Sequence, residues 1–314
     1  MIQALLATVS FALSTICGHR STRLLGGLVA NFWRLVVATI LLAIWGNCFG
    51  SGLSGQAFPI FVVSGLFGIG LGDVAFYSAL PMLGSRLTVL LLQCFTTVFA
   101  AGIEWLWLGT RLTPGELVCA AVILCGVAIA LRPREHLHLK GKLAPGLTLT
   151  VIAAFGNGFG LVLARKAYAV AKGSGEYIDG GTAAYQRVLG GLFVSGVVLI
   201  IFKYRAAKAS TRAPDFSAEP AKDRFRRAWP WVVANGAFGM AIGVSFLQWA
   251  LKTVPTGVVQ SIVSVTPLVI IPIARYTENE RPTPGALLGC VIAVAGTIAM
   301  TIVHTHPQGF SFHF

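Results

Sequence analysis

A chain of 314 residues that is 55% apolar and only 11% charged lies far from the balance of soluble domains, which run at about 45–50% apolar and about 25% charged. That composition excludes a soluble globular fold and makes this a membrane chain. Its formal net charge of +13 speaks for membrane orientation and lipid headgroups rather than nucleic acid, because the basic residues cluster in loops between apolar, membrane-length segments.

Apolar windows of the length that crosses a hydrocarbon core, about 17–25 residues, occur ten times. They run approximately over 2–18, 28–47, 58–80, 86–108, 114–131, 144–168, 182–203, 229–251, 256–276 and 284–303. Each must bond its own backbone in lipid, so each reads as a helix. The first is expected to be helix one rather than a signal peptide: "MIQ" carries no positive charge and "STICGHRS" offers no small-x-small cleavage site. Helix two opens on "ANFWRL" with Arg34, and helix three carries Asp73 within "FGIGLGDVAFYSAL". Helix four holds Gln93 and ends on Glu104, Trp105 and Trp107, an interfacial aromatic belt toward which Glu104 is expected to snorkel. Helix six holds Asn157, and helix seven opens on "AAYQRV" with Arg187. The basic run 203–227 reads as a solvated linker. Helix eight carries Gln248 and Trp249. In helix nine Gln260, Ser264 and Pro267 recur at three- or four-residue spacing on one face, with Ser261 and Thr266 beside them. Pro267 should free the backbone carbonyl of Val263 and expose it as a polar ligand.

The chain repeats itself. "GTRLTPGELVCAAVILCGVAIAL" at 109–131 returns 170 positions later as "NERPTPGALLGCVIAVAGTIAMT". Gly68 and Gly72 of helix three answer Gly239 and Gly243 of helix eight at an offset of 171, and Arg34 stands opposite Arg187 at 153, the long loop of the second half absorbing the difference. Two five-helix halves follow, over 1–132 and 143–303. Because five is odd, the second half starts on the other side of the membrane, so the repeats are inverted. The expected fold is therefore all-α and integral to the membrane, with ten transmembrane helices as two inverted five-helix repeats, the plan of secondary transporters.

Ten segments in two fives, an arginine opening helices two and seven, and the end of the second half together resemble the EamA-type proteins of the drug/metabolite transporter superfamily. In "TPLVIIPIARYTENERPTPGALLGCVIAVAG", Pro267, Glu280, Gly289 and Gly296 fall where that family carries a proline, an acidic residue and a glycine-rich last helix. The first half departs, with Thr97 at the proline and Thr110 at the acidic position, which leaves the substrate class open. The resemblance implies a transporter with both termini inside. The charge count says otherwise: loops after odd-numbered helices hold 17 of the 24 Lys and Arg, and loops after even-numbered ones five, which puts the odd loops in the cytoplasm and the termini outside.

Ionisable groups inside a membrane are functional candidates. Asp73 either exchanges a proton or binds a cationic group, or else it is the buried partner of Arg34 or Arg187. The two arginines either snorkel and cap helix ends or bind anionic substrate groups. Gln93, Asn157, Gln248, Trp249, Gln260, Ser264 and Pro267 either line a central cavity or hold helices together. The six cysteines read as small buried hydrophobes. No Ser/His/Asp elbow, HExxH, phosphate-cradling loop or metal-ligand spacing is found, so no enzyme activity, cofactor or metal is expected. The reading is a secondary active transporter, an exporter of small metabolites or amphipathic compounds, in the inner membrane of a bacterium. Its partners are an unidentified small-molecule substrate and membrane lipid; a monomer suffices and a homodimer is compatible. A non-transporting scaffold or accessory subunit, or a membrane enzyme acting on a lipid substrate, is the alternative.

Overall fold

A computed structural model describes residues 1–83, 85–130, 143–209, 221–269 and 284–305. Among them there is no strand. In chain order the helices are α1 (Ile2–Leu25), α2 (Gly27–Cys48), α3 (Phe58–Gly65), a π turn (Leu66–Leu71), α4 (Gly72–Leu83), α5 (Ser85–Leu108), α6 (Pro114–Ala130), α7 (Leu143–Gly173), α8 (Gly180–Ala209), α9 (Ala221–Asn235), a second π turn (Gly236–Gly243), α10 (Val244–Leu251), α11 (Thr256–Val263) and α12 (Pro284–Thr305). The segments α3–α4 and α9–α10 are each continuous through their π turn. Among the described residues eight helices are long and apolar enough to cross a membrane, and Pro114–Ala130 and Thr256–Val269 are shorter apolar ones. The protein is thus an all-helical integral membrane protein.

The chemistry of each helix surface explains the packing. Outward faces are apolar even where exposed, as at Leu106 (81%), Ile200 (70%) and Phe193 (68%), the arrangement that lipid requires. Buried positions mix large apolar residues such as Phe61 and Leu35 with small and polar ones. Asn31, Gln186, Gln248, Ser261 and Ser264 are fully buried. Between α1 and α2 the chain turns through one residue, Gly26, at φ 80°, a left-handed conformation that a side chain would resist.

The two π turns, Leu66–Leu71 and Gly236–Gly243, overlap at the offset of 171 that also relates Gly68 to Gly239. Glycine makes both crossings close. A Cβ on Gly65 would collide with the carbonyl oxygen of Arg187, and one on Gly236 would lie 2.8 Å from the carbonyl oxygen of Arg34. So α8 crosses the first π turn and α2 the second, each at its arginine, and both guanidinium groups start from the middle of the bundle. In α6 and α12, the two copies of the repeated segment, backbones touch: a Cβ on Gly126 would come 2.6 Å from Ala293 N, and one on Gly289 would come 2.5 Å from Ala130 N.

Two expectations change. The basic run 203–227 is helical at both ends, since α8 continues to Ala209 and α9 begins at Ala221. Long Lys and Arg stems let helices run on past the hydrocarbon with their charges in water. Helix nine stops early: α11 ends at Val263, Ser264 and Val265 form a turn, and one further helical turn reaches Val269. Glu280, the basic residues 132–142, and the histidines other than His19 and His304 lie outside the described residues.

A candidate solute site in the centre of the bundle

A cavity of about 490 Å³ lies in the middle of the bundle, walled by α1, α2, α4, α5, α7, α8, α10, α11 and both π turns. Much of its wall is apolar, with Phe11, Ile69, Phe76, Leu92, Met240 and Leu247 among the lining residues. Seven of the ten candidates from the sequence meet there: Arg34, Asp73, Gln93, Asn157, Arg187, Gln260 and Pro267. Gln248, Trp249 and Ser264 lie off the wall. Gln248 is fully buried with neither amide atom hydrogen-bonded. Trp249 packs against Phe246 at 5.9 Å between ring centres and against Gly180. The Ser264 hydroxyl turns back to donate to the Ser261 carbonyl at 2.6 Å.

Of the two arginines, Arg34 is the partner of Asp73. Its Nη2 lies 2.6 Å from Asp73 Oδ2, and its Nε donates to Asn31 Oδ1 at 2.8 Å. Asn31 Nδ2 in turn donates to Ser195 Oγ at 3.3 Å, reaching α8. The Tyr77 ring lies 5.3 Å from the guanidinium. Only 8% exposed, Arg34 neither snorkels nor caps a helix. Asp73 is the first acidic residue of α4, where the chain leaves the π turn.

Arg187 is different. It is 3% exposed, its Nε has no hydrogen-bond partner, and no carboxylate among the described residues lies within ion-pair distance of it. Its head rests against the first π turn, where a Cβ on Gly68 would come 3.0 Å from Nη2.

The neutral groups bridge helices. Gln260 Nε2 donates to Gln93 Oε1 at 2.9 Å, linking α11 to α5. Asn157 abuts Gly72, where a Cβ would meet its Oδ1 at 3.0 Å. The carbonyl of Val263, freed by Pro267, does not wait for a ligand: the Thr266 hydroxyl donates to it at 2.6 Å. Next to it, Thr8 of α1 donates to the Ile262 carbonyl at 3.4 Å. Cavity residues the sequence reading passed over include Ser14, whose hydroxyl donates to Asn235 Oδ1 at 2.6 Å, and Thr96, whose buried hydroxyl has no partner. The available signal was a polar side chain inside an apolar window, the same signal that singled out Gln93.

The bundle's two ends are unlike. At the end where α2, α5, α7 and α10 finish, polar ties seal it. Glu104, expected to snorkel, is instead 2% exposed. It pairs with Arg165 Nε at 2.7 Å and accepts from the Thr256 amide at 2.6 Å, while Arg165 also donates to the Val254 carbonyl. Burial follows from position: Thr256 opens α11, and its free amide needs an acceptor. Asp179 caps α8, accepting from the Gly181 amide at 2.8 Å, the Thr182 amide at 3.1 Å and Trp45 Nε1 of α2 at 2.9 Å. Burial raises the carboxyl of Asp179, but these bonds and that of the Thr182 hydroxyl outweigh it and hold it below its ordinary value. Glu176 accepts from the Gln56 amide at 3.1 Å. Glu116 forms a capping box with Thr113 at the start of α6 and reaches His304 of α12 at 2.7 Å. At the other end the cavity lining continues to His19 and Thr22 in the last two turns of α1, and His19 is exposed. We call these the sealed end and the basic end, since the loops of the latter carry most of the Lys and Arg.

A membrane bundle that buries its charges and amides around one central cavity is built as a solute transporter is built. The chain belongs to the EamA-like transporter family, whose sequence profile matches residues 1–132 and again 144–302, and is thus a membrane transporter of the drug/metabolite transporter superfamily. Among solved structures it is similar to a protein known by its crystal structure, with 14% identity over 98% of both chains and a TM-score of 0.76, a likeness of fold. No curated protein matches the sequence.

Proposed function

We propose that this protein is a secondary active transporter, an exporter of small metabolites or amphipathic compounds, in which the central cavity opens alternately to the two membrane faces. On this reading ten helices cross the membrane as two inverted fives, over 1–132 and 143–303. The two matches to the family profile support this, as do the two π turns at one interval and the reciprocal crossings of Arg187 over Gly65 and Arg34 over Gly236. The observation that carries the reading is the cavity: about 490 Å³, within the range of about 300–1,000 Å³ for small-molecule sites, walled by both halves and tied shut at one end. Breaking the ties at the sealed end and closing α1 against α11 at the basic end would reverse its access. Asp73 is the coupling group: a proton on its carboxyl dissolves the pair with Arg34 and loosens α2 from α4.

The test is solute-dependent proton movement in proteoliposomes containing a pH-sensitive dye and challenged with a pooled metabolite extract. The wild type moves protons with solute, and Asp73→Asn moves solute without protons or not at all. If Asp73→Leu, Asn157→Leu and Gln260→Leu all behave as the wild type, the protein is a scaffold instead.

A further inference from the structure

Arg34 and Arg187 open equivalent helices and sit at equivalent crossings, yet their surroundings differ. Arg34 has Asp73. At the offset of 171 that relates helix three to helix eight, the position answering Asp73 is Val244, which also lines the cavity. The second half therefore keeps the cation and lacks the anion. Arg34 and Asp73 cancel, and Arg187 remains as the uncompensated charge of the described cavity wall. A charge buried without a partner is strongly destabilising. Such a group is stabilised when an anion arrives.

We propose that Arg187 is the binding point for an organic monoanion, a carboxylate on an apolar body, so that the substrates carried under the transporter reading above are amphipathic carboxylates. Three features fix the class. A guanidinium whose Nε is unpartnered presents a fork that a carboxylate meets with two parallel hydrogen bonds. One free cation matches one negative charge; a phosphate dianion needs a second, and Arg34 is engaged by Asp73. The rest of the wall is largely hydrocarbon, with Phe11, Ile69, Leu161 and Met240 to receive an apolar body, while the unpartnered Thr96 hydroxyl offers a second donor.

The experiment is thermal unfolding of the full-length protein in detergent with matched pairs of probes: benzoate against benzamide, phenylacetate against phenylacetamide, and phenyl phosphate. The acids raise the melting temperature and the amides, equal in shape, do not. In Arg187→Gln the ligand-free protein melts higher than the wild type, because the uncompensated charge is gone, and the difference between acid and amide vanishes. Arg187→Lys keeps the charge but loses the fork, and binds the acids at least tenfold more weakly; it reads the same contact if Arg187→Gln does not fold. Equal shifts by acids and amides, an acid shift that survives in Arg187→Gln, stronger binding of phenyl phosphate than of benzoate, or no response to any probe overturns the proposal. Vesicle transport separates it from the transporter reading. Solutes that cross without any preference for carboxylates sink the anion site alone, whereas acids that bind at Arg187 and never cross sink the transporter alone.

Discussion

At the scale of single residues, the two arginines of the described cavity wall differ: Arg34 is matched by Asp73, and Arg187 has no carboxylate partner among the described residues. Removing one member of the Arg34–Asp73 pair leaves the other buried and alone, which costs about 3–5 kcal/mol, whereas replacing both with apolar groups is close to neutral. Asp73→Asn and Arg34→Gln should each lower the melting temperature sharply, and Arg34→Leu combined with Asp73→Leu should recover most of the loss; an additive double variant would show that the two do not act as a pair. Asp179 behaves differently because it lies in the loop between α7 and α8. Its carboxyl is held below its ordinary value in the folded protein, so its contribution is complete above the ordinary aspartate range of about pH 4 and is lost as the pH falls through the lowered value. Asp179→Ala should cost about 1 kcal/mol as a lost helix cap. The difference in stability between wild type and variant should narrow on acidification toward pH 2, and a difference that stays constant would contradict the assignment. Ionisable residues within apolar windows made Arg34, Asp73 and Arg187 legible from sequence. Which arginine holds the aspartate was not legible, because that depends on helices meeting 39 positions apart against 114, and only the fold decides.

At the scale of elements, α11 shows how a helix break is made tolerable in lipid. Pro267 removes the amide that would serve the Val263 carbonyl, and the Thr266 hydroxyl replaces it at 2.6 Å. Thr266→Val leaves that carbonyl buried without a donor and should cost about 1–3 kcal/mol. Adding Pro267→Ala returns an amide and should restore much of the stability, as read by chemical or thermal unfolding. The sequence made the proline and its orphaned carbonyl visible, but not the side chain one residue away that answers it, and Ser264 left the expected face because the helix turns there. The matching helix of the first half has Thr97 in place of a proline, and its hydroxyl donates to the Gln93 carbonyl at 2.9 Å within an unbroken α5. The two stretches that match the family profile are unlike at this joint. The π turns were not predicted as such, though their glycines were. Gly65→Ala should prevent correct assembly, since its methyl group would enter the backbone of α8 at Arg187, and expression of folded protein in membranes reads this directly.

At the scale of the whole molecule, the repeated segment of α6 and α12 was the most informative signal in the sequence. It pointed to two like stretches of chain, and the family profile does match twice, over 1–132 and 144–302, because repetition of an apolar pattern survives where individual contacts do not. What it could not supply is the difference between the two ends. Glu104, Arg165, Glu176 and Asp179 seal one end through bonds between residues 61 to 152 positions apart, or between loops joined only by the fold. Weakening the seal by Glu104→Gln should shift the resting protein toward opening at that end.

The proposed transport cycle has one cavity serve both faces in turn. It is tested most directly by replacing the native cysteines with alanine, placing Leu92→Cys in the cavity wall, and labelling reconstituted protein with a membrane-impermeant maleimide from each face separately. Labelling should be fast from the face of the basic end and slower from the opposite face, and the slower rate should rise with Glu104→Gln. Labelling from one face alone, unchanged by Glu104→Gln and by metabolite extract on either side, would contradict it.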